Sequence, residues 1–295
     1  MARKQKYEGS IISLRIPSDR LRDYTALLSD IVALKRSVQV FKGVGMAMTQ
    51  FSPETGRATI SKFSIIDHNG DWFDEDGFGP AGEEDLGKIS IPENLKPNLV
   101  GFPAYLDPDD HLLAVMTYSQ GNSLSPLQVE KFLRAIVKSE EIYERFGSVQ
   151  VDVFKDSHDI EKMLDINTLR EVKIVIRRPN HIPPGLIKKM EEELREENAD
   201  ELLRTIKSKS GDYLEPGNTT RALGIMAAEN GDIEVKYDEE GAVVKRTSAS
   251  KPLRKVIVTD DPEATPIGVF ERIKGFLIDR VKKNRKRADE AVRGK

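Results

Sequence analysis

Gly9-Ser10-Ile11-Ile12-Ser13-Leu14-Arg15-Ile16 is the stretch on which the fold class turns. Its four apolar residues, Ile11, Ile12, Leu14 and Ile16, read as a strand. Ser18 stands where a helix cap belongs, and Leu21, Tyr24, Leu28 and Ile31 then recur at three- and four-residue spacing. That periodicity predicts a helix with one buried face. Two further strands follow, Val44 to Phe51 and Arg57 to Ile66, joined by Ser52-Pro53-Glu54-Thr55-Gly56, whose residues suit a hairpin turn. Strands joined by short turns, with helices set between groups of them, predict an α+β fold of mixed or antiparallel sheets packed with helices.

The same reading extends to the rest of the chain. Asp71-Trp72-Phe73-Asp74 leads from a turn into a glycine-rich acidic surface loop over residues 75–87. Leu99 to Tyr105 and His111 to Tyr118 form a hairpin across Asp107-Pro108-Asp109-Asp110. Ser125-Pro126, with Gln128 closing a capping box, starts a helix whose apolar stripe is Val129, Phe132, Ile136 and Tyr143. Val149, Val151 and Val153 alternate as in a strand, a short helix covers Asp159 to Leu164, and Val172 to Ile176 is another strand. Pro183-Pro184 opens a charged helical stretch to about Lys207. Asn218 or Thr219 caps a helix that Asn230-Gly231 terminates. A hairpin around Glu240-Gly241 and a strand over Leu253 to Val258 precede the last helix, which begins at Pro266 and carries Phe270, Ile273, Leu277 and Val281 on one face. Two closely associated α+β halves are expected, residues 1–147 and 148–295, the second ending in a basic helix.

Composition narrows the chemistry. The chain has no cysteine, which removes disulfides, thiolate metal sites and a thiol nucleophile. No apolar run approaches the roughly 20 residues needed to span a bilayer, so no membrane insertion is expected. Met1-Ala2-Arg3-Lys4-Gln5-Lys6 is not followed by a signal-peptide stretch, and a cytoplasmic protein is expected. Net charge is only −3 but is unevenly spread. Residues 1–42 carry nine cations and four acids, residues 67–110 two cations and twelve acids, and residues 270–295 ten cations and four acids. Such asymmetry points to polyanion binding, or to contacts between the basic ends and the acidic middle, including self-association into a homo-oligomer.

No catalytic motif emerges. Gly43-Val44-Gly45 lacks the third glycine and the helix start of a dinucleotide loop, and His68, His111, His158 and His181 are scattered. Enzymatic activity is therefore not expected, nor is a cofactor. The acidic group Asp67, Asp71 and Asp74, with Glu75 and Asp76, is the candidate site for Mg²⁺, although it lacks calcium-loop spacing; the alternative is a solvated acidic loop. Trp72 reads either as an anchor for that loop or as a stacking platform for a base. Arg280, Lys282, Lys283, Arg285, Lys286 and Arg287 concentrate cations within two helical turns, a candidate contact for DNA or RNA phosphates, and Arg177 with Arg178 forms a second basic spot. The alternative for the helix is a solvated end whose cations suit the helix dipole.

Several segments resemble, in order, a bacterial family catalogued as domain of unknown function 4747. They are the Ile12-Ser13-Leu14-Arg15-Ile16-Pro17 strand, Asp71-Trp72-Phe73-Asp74, Lys96-Pro97-Asn98, His111, Leu124-Ser125-Pro126, Arg178-Pro179-Asn180, Asn230-Gly231 and Arg246-Thr247-Ser248. The resemblance implies no active site. It implies the company of bacterial defence or mobile-element loci, hence an accessory or effector protein of antiviral defence binding nucleic acid, or a protein partner from the same locus, through basic surfaces. A metal-dependent nuclease-like effector and a non-enzymatic self-assembling structural protein are the alternatives.

Overall fold

The computed structural model describes residues 4–17, 20–67, 70–87, 91–92, 94–177, 192, 194, 196, 197, 199 and 201–292, with backbone alone at 288, 289, 291 and 292. The fold is α+β, with a larger and a smaller antiparallel sheet interleaved with helical layers and a separate two-stranded ribbon.

The decisive strand is β1, Gln5–Arg15. Its side chains alternate between two cores: Ile12 and Leu14 enter one, Tyr7 and Ile11 the other. A strand buried on both faces needs apolar residues on both, which explains the near-continuous isoleucine and leucine run. In the larger sheet β1 lies between β8 (Leu112–Ser119) on one side and a split neighbour on the other. That neighbour is β10 (Gln150–Val153) alongside residues 12–15 and β15 (Arg254–Thr259) alongside residues 5–10. Beyond β8 the sheet continues through β7 (Val100–Asp107), β4 (Arg57–Ser64), β3 (Val44–Phe51) and β2 (Val38–Phe41), and the short β9 (Asn122–Ser123) pairs with β8. Strands from both sides of residue 147 thus share one sheet.

Helices α1 (Tyr24–Ala33), α3 (Pro126–Ile136) and α4 (Glu140–Phe146) cover one face of this sheet. On the other lie α5 (Ser157–Leu164), α6 (Asn218–Asn230) and α7 (Pro266–Val292). Against them packs the smaller sheet, ordered β12 (Glu201–Lys207), β11 (Leu169–Arg177), β13 (Gly231–Glu239) and β14 (Ala242–Thr247). The stripe Phe270, Ile273, Leu277 and Val281 of α7 is fully buried, and each such side chain contributes about 1.5–3 kcal/mol. Gly9 lets α7 approach the sheet, since a Cβ there would lie 2.5 Å from Ile273 Cγ2.

Three local expectations are corrected. The first helix begins at Tyr24, capped by the Asp23 carboxylate, which accepts the Ala26 N–H at 2.8 Å; Leu21 precedes it and is 81% exposed. The helix from Pro126 breaks at Val137, so Tyr143 belongs to α4 and points outward. Residues 201–207 form a strand, because Leu202 and Ile206 pair beside Ile176 and Val172 on the sheet. The capping box of Ser125 and Gln128 is present as expected. Among the described residues no helix is long and apolar enough to cross a membrane.

Candidate functional site

Where α6 ends and β13 begins, the four consecutive residues Glu229, Asn230, Gly231 and Asp232 each hold a polar group from a different part of the chain. Glu229 receives a bidentate contact from Arg285 of α7, Nη2 at 2.5 Å and Nε at 3.0 Å. Asn230 Oδ1 accepts the Ser13 hydroxyl of β1 at 3.1 Å. The Gly231 carbonyl accepts from Lys155 Nζ at 2.6 Å. Asp232 lies 3.3 Å from Lys155 Nζ and 3.5 Å from Arg177 Nη2. Gly231 is required here because its Cα passes so close to β11 that a Cβ would sit 2.0 Å from the Val175 carbonyl oxygen.

A buried carboxylate adjoins this junction. Asp152 of β10 is 2% exposed and accepts from Arg177 Nη1 at 2.6 Å and Arg134 Nη2 at 3.1 Å. Arg134 also pairs with Glu130 at 2.9 Å. Burial raises the Asp152 carboxyl above its ordinary value, and the nearby Lys155, Arg177 and Arg134 charges offset that only in part. Burial likewise raises Glu130. Burial works against the Arg177 charge too, but Asp152, Asp232 and Glu201 outweigh it and hold the guanidinium above its ordinary range. The network couples α3, β10, β11 and β13, and its charges compensate one another.

The basic helix end is spent on the same kind of contact. Arg285 pairs with Glu229 and with Asp110 at 2.8 Å, and Lys282 meets Asp110 at 2.9 Å. Arg287 reaches Glu161 at 2.5 Å, Arg280 lies 3.9 Å from Asp156, and Lys286 lies 3.9 Å from Glu290 on its own helix. Lys283 is exposed and meets no acid among the described residues. Arg177 is held by Asp152 and Asp232, while Arg178 lies outside the described residues. The basic end and the acidic middle thus meet within one molecule, at Asp110.

His111 sits beside this contact with a left-handed backbone (φ 60°), its ring stacked on Tyr24 at 4.4 Å. Burial and the charges of Arg22 and Arg285 lower its pKa. His158 lies 3.8 Å from Glu161. His68 and His181 lie outside the described residues. Among the described residues no imidazole hydrogen-bonds a hydroxyl, and no three His, Asp or Glu side chains converge as a metal site.

Asp67, Asp71 and Asp74 belong to an arm inserted between β4 and β7. Its tip is a two-stranded ribbon, β5 (Phe73–Asp74) with β6 (Gly79–Pro80), followed by the short helix α2 (Glu83–Leu86). The Asp74 carboxylate accepts the N–H groups of Asp76 and Gly77, each at 3.0 Å, and so shapes the turn. Residues 67–87 contain eight acids and no Lys or Arg. Asp71, Glu75, Asp76, Glu83 and Glu84 meet no cation among the described residues. Phe73 and Phe78 pack edge-to-face at 5.5 Å on this ribbon, and they are 63% and 85% exposed. Leu86, Leu95 and Leu99, in the same insertion, are exposed as well.

The acidic loop was legible from composition, whereas the exposed aromatic pair was not. Phe73 and Phe78 are five residues apart, and only the turn that Asp74 closes brings them together. Asp152, Lys155, Glu229 and Asp232 were also missed; the signal available was the polar run beginning at Glu229, where an apolar helix gives way to a strand.

The family model described as a domain of unknown function, DUF4747, matches residues 5–275, and the chain belongs to that family. Comparison with curated proteins returns no match.

Proposed function

We propose that this member of the DUF4747 family is a non-enzymatic binding protein that docks on another protein through the arm at residues 71–87. The observation that carries the reading is the Phe73–Phe78 pair, exposed on a ribbon whose neighbours Asp71, Glu75, Asp76, Glu83 and Glu84 meet no cation among the described residues. Exposed aromatics cost free energy in an isolated protein and are enriched at the centres of interfaces, where they fill pockets on the partner. The surrounding acids define the partner as a protein surface with an apolar pocket and a basic rim. They would speed encounter and make it salt-sensitive. The same charge disfavours nucleic acid at this arm, and the cations of α7 are largely engaged by Asp110, Glu229 and Glu161. The antiviral role implied by family resemblance concerns genomic company; the proposal rests on the arm alone.

The test is quantitative co-purification from the native host of the full chain, a Phe73→Ser/Phe78→Ser variant and a Glu75→Gln/Asp76→Asn/Glu83→Gln/Glu84→Gln variant, with duplex and single-stranded oligonucleotides titrated in parallel. A basic protein retained by the wild type at low salt, and lost from both variants with their thermal midpoints unchanged, is the expected result. Retention by all three forms, or oligonucleotide binding that steepens at low salt, would overturn the reading.

A further inference from the structure

β15 is an edge strand with a self-complementary sequence. Among the described residues it pairs with a strand only on its β1 side. The Leu14 N–H bonds the His111 carbonyl on the β8 side, whereas the Ile11 carbonyl accepts Phe154 on the opposite side. Odd residues of β1 therefore direct their backbone groups toward β10 and β15. Through the register Gly9↔Lys255 and Tyr7↔Ile257, the backbone groups of Lys255 and Ile257 turn inward, and those of Arg254, Val256 and Val258 turn outward. Val256 and Val258 also expose their side chains, 42% and 57%. Natural proteins blunt such edges, because an open apolar edge templates pairing with another chain.

We propose that the occupant of this edge is β15 of a second copy, joined antiparallel about a two-fold axis through Ile257, so that the large sheets of two molecules become continuous. The sequence Arg254-Lys255-Val256-Ile257-Val258-Thr259-Asp260 argues for this partner. In that register Val256 faces the partner's Val258, Ile257 meets its own symmetry mate, and Arg254 faces the partner's Asp260. The outward N–H and C=O groups of Val256 and Val258 then satisfy one another, as a two-fold pairing centred on a non-hydrogen-bonded residue requires. Asp260 is exposed and forms no ion pair among the described residues. Arg254, which meets Glu8 at 3.0 Å, keeps about half of its side chain in solvent. On the α7 side, Phe276 is 43% exposed beneath Lys255, whose Nζ lies 4.2 Å from the ring centroid. That ring extends the apolar strip below the paired strands.

The test is molar mass in solution across a micromolar dilution series. The wild type is expected at twice 33.1 kDa. Arg254→Glu alone and Asp260→Arg alone each place like charges across the axis. Each should raise the dissociation midpoint at least tenfold. An equimolar mixture of the two variants restores both opposite-charge pairs in a heterodimer and should recover the wild-type midpoint. Val258→Glu, a solvent-facing change, should abolish the dimer without altering the thermal midpoint of the monomer. A wild-type monomer throughout, a dimer indifferent to Val258→Glu and Asp260→Arg, or a mixture that stays dissociated would each overturn the proposal.

Discussion

Arg177, the last residue of β11, holds Asp152 of β10 at 2.6 Å, so a strand end of the smaller sheet is tied to the edge of the larger one. The carboxylate is almost wholly buried and is shared with Arg134. Removing it leaves two guanidiniums facing each other without their common anion. Asp152→Ala should therefore destabilise the protein by about 3 kcal/mol, the lower end for breaking a buried ion pair. Urea denaturation of both proteins checks this; a loss below about 1 kcal/mol would mean that solvent and Glu130 replace the anion.

Gly231 tests the junction through shape instead of charge. Its conformation is extended and available to any residue, so the constraint is space: the Val175 carbonyl oxygen would lie 2.0 Å from an added Cβ. Backbone cannot yield as a side-chain tip can, and Gly231→Ala should cost at least about 3 kcal/mol, beyond ordinary overpacking. Gly241, at an open hairpin turn with nothing within 4 Å of such a Cβ, is the natural comparison. Its positive φ of 81° makes alanine strained there, by about 1 kcal/mol only.

His111 should titrate below the ordinary imidazole value of 6.5, because burial and the charges of Arg22 and Arg285 oppose its protonation. The sign for stability follows from proton uptake. As pH falls through 6.5 the unfolded chain binds a proton that the native ring refuses, so this group contributes stability above that pH and loses it below. An NMR titration of the His111 ring, with denaturant midpoints at pH 7.5 and pH 5.5 for wild type and His111→Asn, measures both. A midpoint at or above 6.5, or identical pH dependence in the two proteins, contradicts the expectation.

Arg285 and Lys283 are two residues apart on the same helix yet should behave differently. Arg285→Ala strands Glu229, leaves Asp110 with Lys282 alone, and should lower stability by about 2–4 kcal/mol. Lys283→Ala should fall within about 0.5 kcal/mol of wild type, as surface changes do. Equal effects in thermal unfolding would show that the helix end is not docked by charge.

The sheet–helix plan was readable because periodicity reports burial directly. β1, the Ser125 capping box and the stripe of α7 follow from the spacing of apolar residues. β12 was not, since Glu201, Arg204 and Lys207 are ordinary helix formers, and only pairing with β11 sets their conformation. The charge asymmetry was legible as a sum but not as a map. Composition placed cations at 280–287 and acids near 110, yet nothing local shows that Asp110 holds Lys282 and also Arg285, which lies 175 residues along the chain.

The split neighbour of β1 also bears on biosynthesis. The strand that completes the edge of residues 5–10, β15, is made some 245 residues after them. At a synthesis rate of roughly 5–20 residues per second the first strand waits many seconds with that edge open. Contacts this distant in sequence also close slowly. A chain arrested before residue 254 would present the backbone of Tyr7 and Gly9 with no partner, as a substrate for chaperones and proteases in place of a smaller folded unit.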